Sequence, residues 1–270
     1  MIPLIDSDVL RYECGFACET AWKKEHPEST DPPSFDSCAN LVDERINNIC
    51  AMVGATAPPI LFLTGKGNFR NDIAVTQPYK NRPSVKPWHF KNITAYMLNK
   101  YDVRVSEGME ADDCMSIMQT TAIANGEETI ICSRDKDLRN VPGWFFSWEL
   151  GAQPSFGPEL ITKNGWIKLS EDRKKIRGVG DLFFYSQCLT GDSVDSIPGL
   201  GGKTGPVKAF EILKECKGSL EAFKAVREAY RALYEDGGDV RLLEQGRLLN
   251  MTRSLNEDGT VVLWGFPPDA

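Results

Sequence analysis

Apolar residues in the first half of the chain gather into short runs of strand length. These are Ile2–Ile5, Ile60–Leu63, Val103–Val105, Thr129–Cys132 and Trp144–Trp148. Between them the apolar positions fall at helical spacing, over roughly Val9–Lys24, Phe35–Val53, Phe90–Asn99 and Glu110–Asn125. Strand and helix in alternation predict an α/β fold, with a mainly parallel sheet flanked by helices on both faces. In such sheets ligands bind at the carboxyl ends of the strands. Near Ser170 the pattern becomes almost entirely helical, over about Arg173–Leu189, Lys203–Cys216, Leu220–Tyr234 and Val240–Leu249. Val261–Trp264 reads as a returning edge strand. The chain thus divides into a core over about 1–170 and a helical section over 171–270.

The stretch from Gly65 to Pro87 fits neither pattern. It carries Gly65, Gly67, Pro78, Pro83 and Pro87 and is too long for an ordinary connection of about 2–6 residues. Structured loops of this length are more often functional than decorative.

Composition narrows the function classes. With 270 residues, 41% hydrophobic, the chain can bury a substantial core. No apolar run approaches the roughly 20 residues that span a bilayer, and MIPLIDSD is unlike a signal peptide. A cytoplasmic protein, in a bacterium or a phage-infected host, is expected, with no membrane partner and as a monomer. The eight cysteines form no CxxC pair and read as small core residues in a reducing compartment. His26 and His89 are the only histidines, which argues against a His-rich zinc site. The net charge of −7 argues at first against nucleic acid. Its distribution argues for it: Lys66, Arg70, Lys80, Arg82, Lys86 and Lys91 share their stretch with one acid, Asp72. Lys163, Lys168, Arg173, Lys174, Lys175 and Arg177 form a second basic stretch, against Glu171 and Asp172.

The acids fall in motifs where predicted strands end or helices begin. They are Asp6-Ser7-Asp8, Glu110-Ala111-Asp112-Asp113, Asp135-Lys136-Asp137, and Asp192 with Asp195 in GDSVDSIPG. Singly, each has a plain explanation as a helix cap, a helix-dipole partner or a turn residue. Together at one sheet edge they would repel each other and raise each other's pKa. Hard divalent cations relieve that repulsion, and an all-oxygen donor set suits Mg²⁺ or Mn²⁺. Two such ions can clamp an in-line displacement at phosphorus.

Carried by Leu4-Ile5-Asp6, Phe69-Arg70, Tyr79-Lys80-Asn81-Arg82, EADD at 110–113, SRDKD at 133–137 and GDSVDSIPG at 191–199, the chain resembles the flap endonuclease and 5′-3′ exonuclease family. That family is related to the PIN-type nuclease fold, and within it the chain resembles the exonucleases of tailed bacteriophages. The resemblance runs from Ile2 to about Phe210. It implies a 5′-nuclease core with a basic arch at about 65–90, and a helical DNA-binding section with a helix-hairpin-helix-like motif at about 192–216. It implies two Mg²⁺ or Mn²⁺ ions held by Asp6, Glu110, Asp112, Asp113, Asp135, Asp137, Asp192 and Asp195, with Asp8 as a helix cap. Lys80 and Arg82 would reach the scissile phosphate. Arg70, Tyr79, Lys80, Arg82, Gly199, Gly201, Gly202 and Lys203 would touch DNA, with a K⁺ ion at the Gly-rich hairpin. Substrates would be DNA with a 5′ end, nick or flap, or RNA in RNA–DNA hybrids. Two departures stand out. Thr64-Gly65 stands where many relatives have an Asp, and the segment from Ile197 to Gly205 is compressed.

Two rivals stay open. A haloacid-dehalogenase-type phosphatase would use Asp6 and Asp8, Leu61–Thr64 and Gly191-Asp192-Ser193. It leaves EADD, SRDKD and the basic loop unexplained. A non-catalytic DNA-binding scaffold on a degenerate nuclease fold would gain nothing from so many acids.

Overall fold

The computed structural model describes residues 1–81, 84–201 and 204–268. In chain order it runs β1 (Ile2–Asp6), α1 (Ser7–Glu25), α2 (Phe35–Met52), β2 (Ile60–Lys66), α3 (Arg70–Ile73), α4 (Phe90–Lys100), β3 (Asp102–Glu107), α5 (Ala111–Ala124), β4 (Thr129–Cys132), β5 (Gly143–Ser147) and β6 (Phe156–Ile161). Then follow β7 (Trp166–Leu169), β8 (Ile176–Val179), α6 (Gly180–Thr190), α7 (Pro206–Leu213), α8 (Ser219–Tyr234) and α9 (Gly238–Leu249).

The six-stranded sheet has the order β3-β2-β1-β4-β5-β6. Its pairs are parallel except the last, where β6 runs antiparallel to β5. Side chains alternate across it as the two-residue strand period demands. Ile5, Leu61, Ile130 and Phe146 face one layer, with Leu10 and Cys14 of α1, Ile46 of α2 and Met97 of α4. Leu4, Phe62, Ile131 and Phe145 face the other, where Met115 of α5 covers them. The chain winds outward from β1 to β3 on one side, then returns to β4 on the other. The carboxyl ends of β1 and β4 therefore form the switch point at which open α/β sheets place their ligands.

α6 to α9 build a separate core of their own around Phe223, Tyr230, Leu189 and Leu242, which Tyr79 of the long loop also enters. α6 is buried from Gly180 to Leu189, since α7, α8 and α9, the β7–β8 hairpin and the turn at Asp137–Asn140 all pack against it.

The expected fold class holds, with corrections of detail. Arg173–Val179 is not helical: β7 and β8 form an antiparallel hairpin. Its turn is closed by Ser170 N–H to Lys175 O at 2.8 Å, with Asp172 accepting from Ser170 Oγ and Lys174 N–H. This is Asx-turn chemistry that the basic run conceals. β6 was not anticipated, because Gly157 and Pro158 interrupt its pattern. Val261–Trp264 is not an edge strand. It makes one isolated bridge, Leu255 to Val261, and Trp264 turns onto Gly246, where a Cβ would meet its ring at 2.3 Å.

All eight cysteines are free thiols, five of them buried. Among the described residues no helix is long and apolar enough to cross a membrane.

Candidate metal centre and its surroundings

Asp6 ends β1 and caps α1. Its Oδ1 accepts from Asp8 N–H at 3.1 Å and Val9 N–H at 3.3 Å. Its Oδ2 accepts from Ser133 Oγ at 2.7 Å across the switch point. The cap expected at Asp8 is thus supplied by Asp6. Asp8 instead accepts Thr64 N–H at 3.0 Å from the end of β2 and pairs with Arg11.

Burial first, then the nearby Asp8 charge, pushes the Asp6 carboxyl up to about 6. Asp112, in the first turn of α5, is held well above the usual carboxylate range by burial and by Asp6, Asp135 and Glu110. Asp135, in the loop after β4, is pushed up to about 7 by burial and Asp137. Asp195, after α6, is pushed up to about 6 by burial, against the pull of Lys80, with Asp137, Glu110 and Asp192 adding to it. These mutual effects place acids from distant parts of the chain in one field at the carboxyl edge of the sheet. Carboxylates crowded in this way hold protons unless a cation replaces them.

Two lysines already work against the repulsion. Lys80 Nζ lies 2.6 Å from Glu110 Oε1 and 3.9 Å from Asp195 Oδ1. Its backbone is held in the left-handed region, φ 47°, by an N–H bond of 3.0 Å to Asp195 O. Lys136 Nζ bridges Asp137, at 2.9 Å, and Asp192. For Asp192 burial is the largest single influence and pushes upward, but the Lys136 bond and charge, with the N–H groups of Val194 and Asp195, together outweigh it and hold the carboxyl low. Tyr79 OH lies 3.0 Å from Glu110 Oε2 and 3.2 Å from Asp195 Oδ2. Among the described residues no three acids, histidines or cysteines are grouped around one point as a formed metal site; the ammonium groups join the acids in pairs. The donor set is nevertheless all oxygen, buried and short of positive charge, which fits hard divalent ions.

Several expected site residues have other duties. Arg70 is fully buried and does not face DNA. It forms a two-pronged ion pair with Asp113, at 2.6 and 2.9 Å, and donates to Leu248 O and Asn250 O. Asp113 spends its remaining capacity on Glu110 N–H and Thr252 N–H, which removes it from the metal-facing set. Tyr79 is buried and orients acids rather than presenting a ring to DNA. Lys80 already lies on the acid cluster, against Glu110 and Asp195. Gly199 has its N–H taken by Gln245 Oε1 at 2.9 Å, so it has none to offer a phosphate. Gly201, φ 77°, stays half-buried in the turn before α7. Arg82, Gly202 and Lys203 lie outside the described residues.

Ser133, Lys136 and Gln187 were not singled out as functional. Ser133 Oγ joins Asp6 to the N–H of Asp135. Gln187 donates to Asp137. Ser133 and Lys136 lie inside the SRDKD motif, which was the available signal. A lone Gln in an apolar helix gives none.

The chain as a whole is similar in sequence to flap endonucleases and in fold to a bacteriophage 5′-exonuclease. No family model matches the chain. It is 25% identical over 179 residues to a flap endonuclease Xni of Shewanella halifaxensis, covering 64% of each protein. It is 31% identical over 110 residues to a DNA polymerase I of Rhizobium leguminosarum, covering 41% of this chain and 10% of the polymerase. The chain therefore spans less than two thirds of the length of these curated relatives. Its fold is shared by the bacteriophage T5 D15 protein co-crystallised with metal ions, at TM-score 0.58 and 14% identity over 93% of this chain and 89% of that one. A second structure, of the T5 D15 flap endonuclease in a pseudo-enzyme-product complex with DNA and metal ions, gives 0.52 and 14% over 92% and 98%.

Proposed function

We propose that this chain is a divalent-metal-dependent 5′-3′ exonuclease and flap endonuclease that hydrolyses DNA phosphodiesters. The observation that carries this reading is the convergence of Asp6, Asp112, Asp135 and Asp195, each with a raised pKa, at the sheet's switch point. The residues that would hold two Mg²⁺ or Mn²⁺ ions are these four with Glu110, Asp137 and Asp192. Bound there, the ions supply a nucleophile at neutral pH and charge for the leaving oxygen.

The chain's own groups do the rest. Ser133 and the first N–H groups of α1 fix the Asp6 carboxylate in one orientation. Tyr79 does the same for Glu110. Lys80, its side chain 42% exposed at the rim, turns from Glu110 to an incoming phosphate and stabilises charge that grows in the transition state. The exposed basic hairpin of β7 and β8, with Lys168, Lys174, Lys175 and Arg177, and the turn at Gly201 before α7 provide sequence-independent grip on the DNA backbone. K⁺ at that turn and RNA in hybrids as a second substrate belong to the same reading.

The phosphatase rival loses its acid, since Asp8 is committed to Thr64 N–H and Arg11. A 5′-labelled flap duplex with Mg²⁺ tests the proposal. The expected result is short 5′ products that vanish with chelator, and that vanish in Asp135→Asn while DNA binding persists. Cutting in excess chelator, or by Asp135→Asn at the normal rate, would refute it.

A further inference from the structure

α1 leads directly away from the acid cluster, and its outer surface is aromatic. Tyr12 packs on Phe90 in a tilted arrangement, ring centroids 4.9 Å apart and planes at 55°, and lies roughly parallel to Phe16 at 6.3 Å. Cations ride on the same rings: Arg11 sits 4.4 Å and Lys86 4.9 Å from the Phe90 centroid. The limb 84–89 is laid against this surface and held there. Tyr12 OH meets Ser84 Oγ at 3.3 Å. Pro87 packs so closely on Gly15 that a Cβ there would come within 2.5 Å of it. Trp88 N–H donates to Glu19, and the buried His89 ring contacts Pro33 O at 2.7 Å.

Trp88 stands between these two buried anchors with 65% of its surface exposed. Large aromatics normally bury most of their area, and this one is kept out by the fixing of both its neighbours. Its surroundings carry the opposite sign to nucleic acid. Lys86 and Lys91 are exposed beside it, and the nearby carboxylate of Glu19 is occupied by the Trp88 N–H. An exposed indole carried on a fixed backbone and flanked by ammonium groups suits single-stranded nucleic acid, the ring stacking on a base and the cations on phosphates. At about 1.5 Å per residue, Trp88, beside Glu19 on α1, lies roughly 20 Å from Asp6. That is the reach of a few nucleotides.

We infer that Trp88, with Lys86 and Lys91, forms a stacking platform for the single-stranded 5′ arm of a nucleic-acid substrate. This rests on the nuclease reading for the origin of the arm, and names the part of the substrate that the acid cluster does not touch. The test is titration with a short single-stranded oligothymidylate in chelator, followed by tryptophan emission and by affinity. Emission of the unaltered protein and of Trp144→Phe, a change at a half-buried tryptophan of β5 away from both basic stretches, is quenched. Quenching is lost in Trp88→Phe. Trp88→Ala weakens binding about 5- to 100-fold, while Trp88→Tyr restores most of it. Undiminished quenching in Trp88→Phe, or undiminished affinity in Trp88→Ala, would overturn the platform. So would a response of Trp88 to an apolar peptide and not to the oligonucleotide. The readout needs no cleavage. Quenching at Trp88 in a protein that cuts nothing keeps the platform and removes the nuclease reading; cutting without any response of Trp88 does the reverse.

Discussion

Asp113→Asn discriminates between two duties for one acid. In the structure Asp113 and Arg70 are both fully buried, and their ion pair has N–O distances of 2.6 and 2.9 Å. The pair ties α3, α5 and the segment after α9 together, through Leu248 O, Asn250 O and Thr252 N–H. Removing one partner of a buried pair leaves the other charge without compensation, which costs about 3–5 kcal/mol. The amide adds its own conflict, because its NH₂ would point at guanidinium N–H groups. At about 2 °C per kcal/mol for a chain of this size, the melting temperature should fall by about 6–10 °C. Arg70→Met should fall similarly, and a double Arg70→Met, Asp113→Leu variant should lose less than the two singles summed. The assay is thermal unfolding in chelator, with Mn²⁺ affinity measured separately by calorimetry. Metal affinity should stay within a few-fold of the parent. An Asp113→Asn protein that melts normally but binds Mn²⁺ at least tenfold more weakly would refute the reasoning and return Asp113 to the metal set.

Other outcomes follow from the same geometry. Asp6 and Asp195 are raised to about 6 and Asp135 to about 7, so the folded chain binds these protons more tightly than the unfolded one. Their stabilising contribution is complete below about pH 4 and lost as pH rises toward 7; melting in chelator should show this, and Mg²⁺ should raise the melting temperature more at pH 8 than at pH 5. A metal response larger at pH 5 would contradict it. Lys80→Ala should lower the single-turnover rate at saturating DNA with little change in affinity, and an effect confined to affinity would make Lys80 a grip residue only. Lys174→Ala with Lys175→Ala should weaken DNA binding and reduce its salt slope by about 1–2; an unchanged slope in filter binding would show that the β7–β8 hairpin points away from DNA.

The inner strands β1, β2, β4 and β5 were legible because they are largely buried and read as short apolar runs, with boundaries off by at most three residues. The β7–β8 hairpin was not, because its strands alternate and its turn is made of basic residues held by a side-chain bond to Asp172. β6 was not, because an edge strand tolerates Gly157 and Pro158. In the site, spacing identified which acids exist but not what each faces. EADD places Asp112 and Asp113 one residue apart on α5, which turns them about 100° from each other. One looks into the acid cluster and the other into a buried guanidinium. Tyr79-Lys80 divides likewise: the ring enters the helical core and the ammonium stays at the rim. Sequence order cannot separate such neighbours, since only the partner side chain distinguishes them, and Arg70 lies 43 residues from Asp113.

Gly65 shows how a departure in sequence can be answered in space. A side chain there is excluded by the backbone: an added Cβ would lie 2.2 Å from Ser106 O, on the neighbouring strand β3. An aspartate at that position would force β2 and β3 apart at the site edge. The adjacent residue, Thr64, instead receives the carboxylate of Asp8, whose Oδ2 lies 3.0 Å from its N–H. That carboxylate ranks next after burial in raising Asp6. Negative charge is therefore present at the end of β2, carried by the first turn of α1 rather than by the strand itself. The replacement also explains Arg11, which pairs with Asp8 while its guanidinium covers Phe90. A scaffold that had merely lost an acid would have no reason to keep a second one aimed at the same strand end, nor a cation to hold it there.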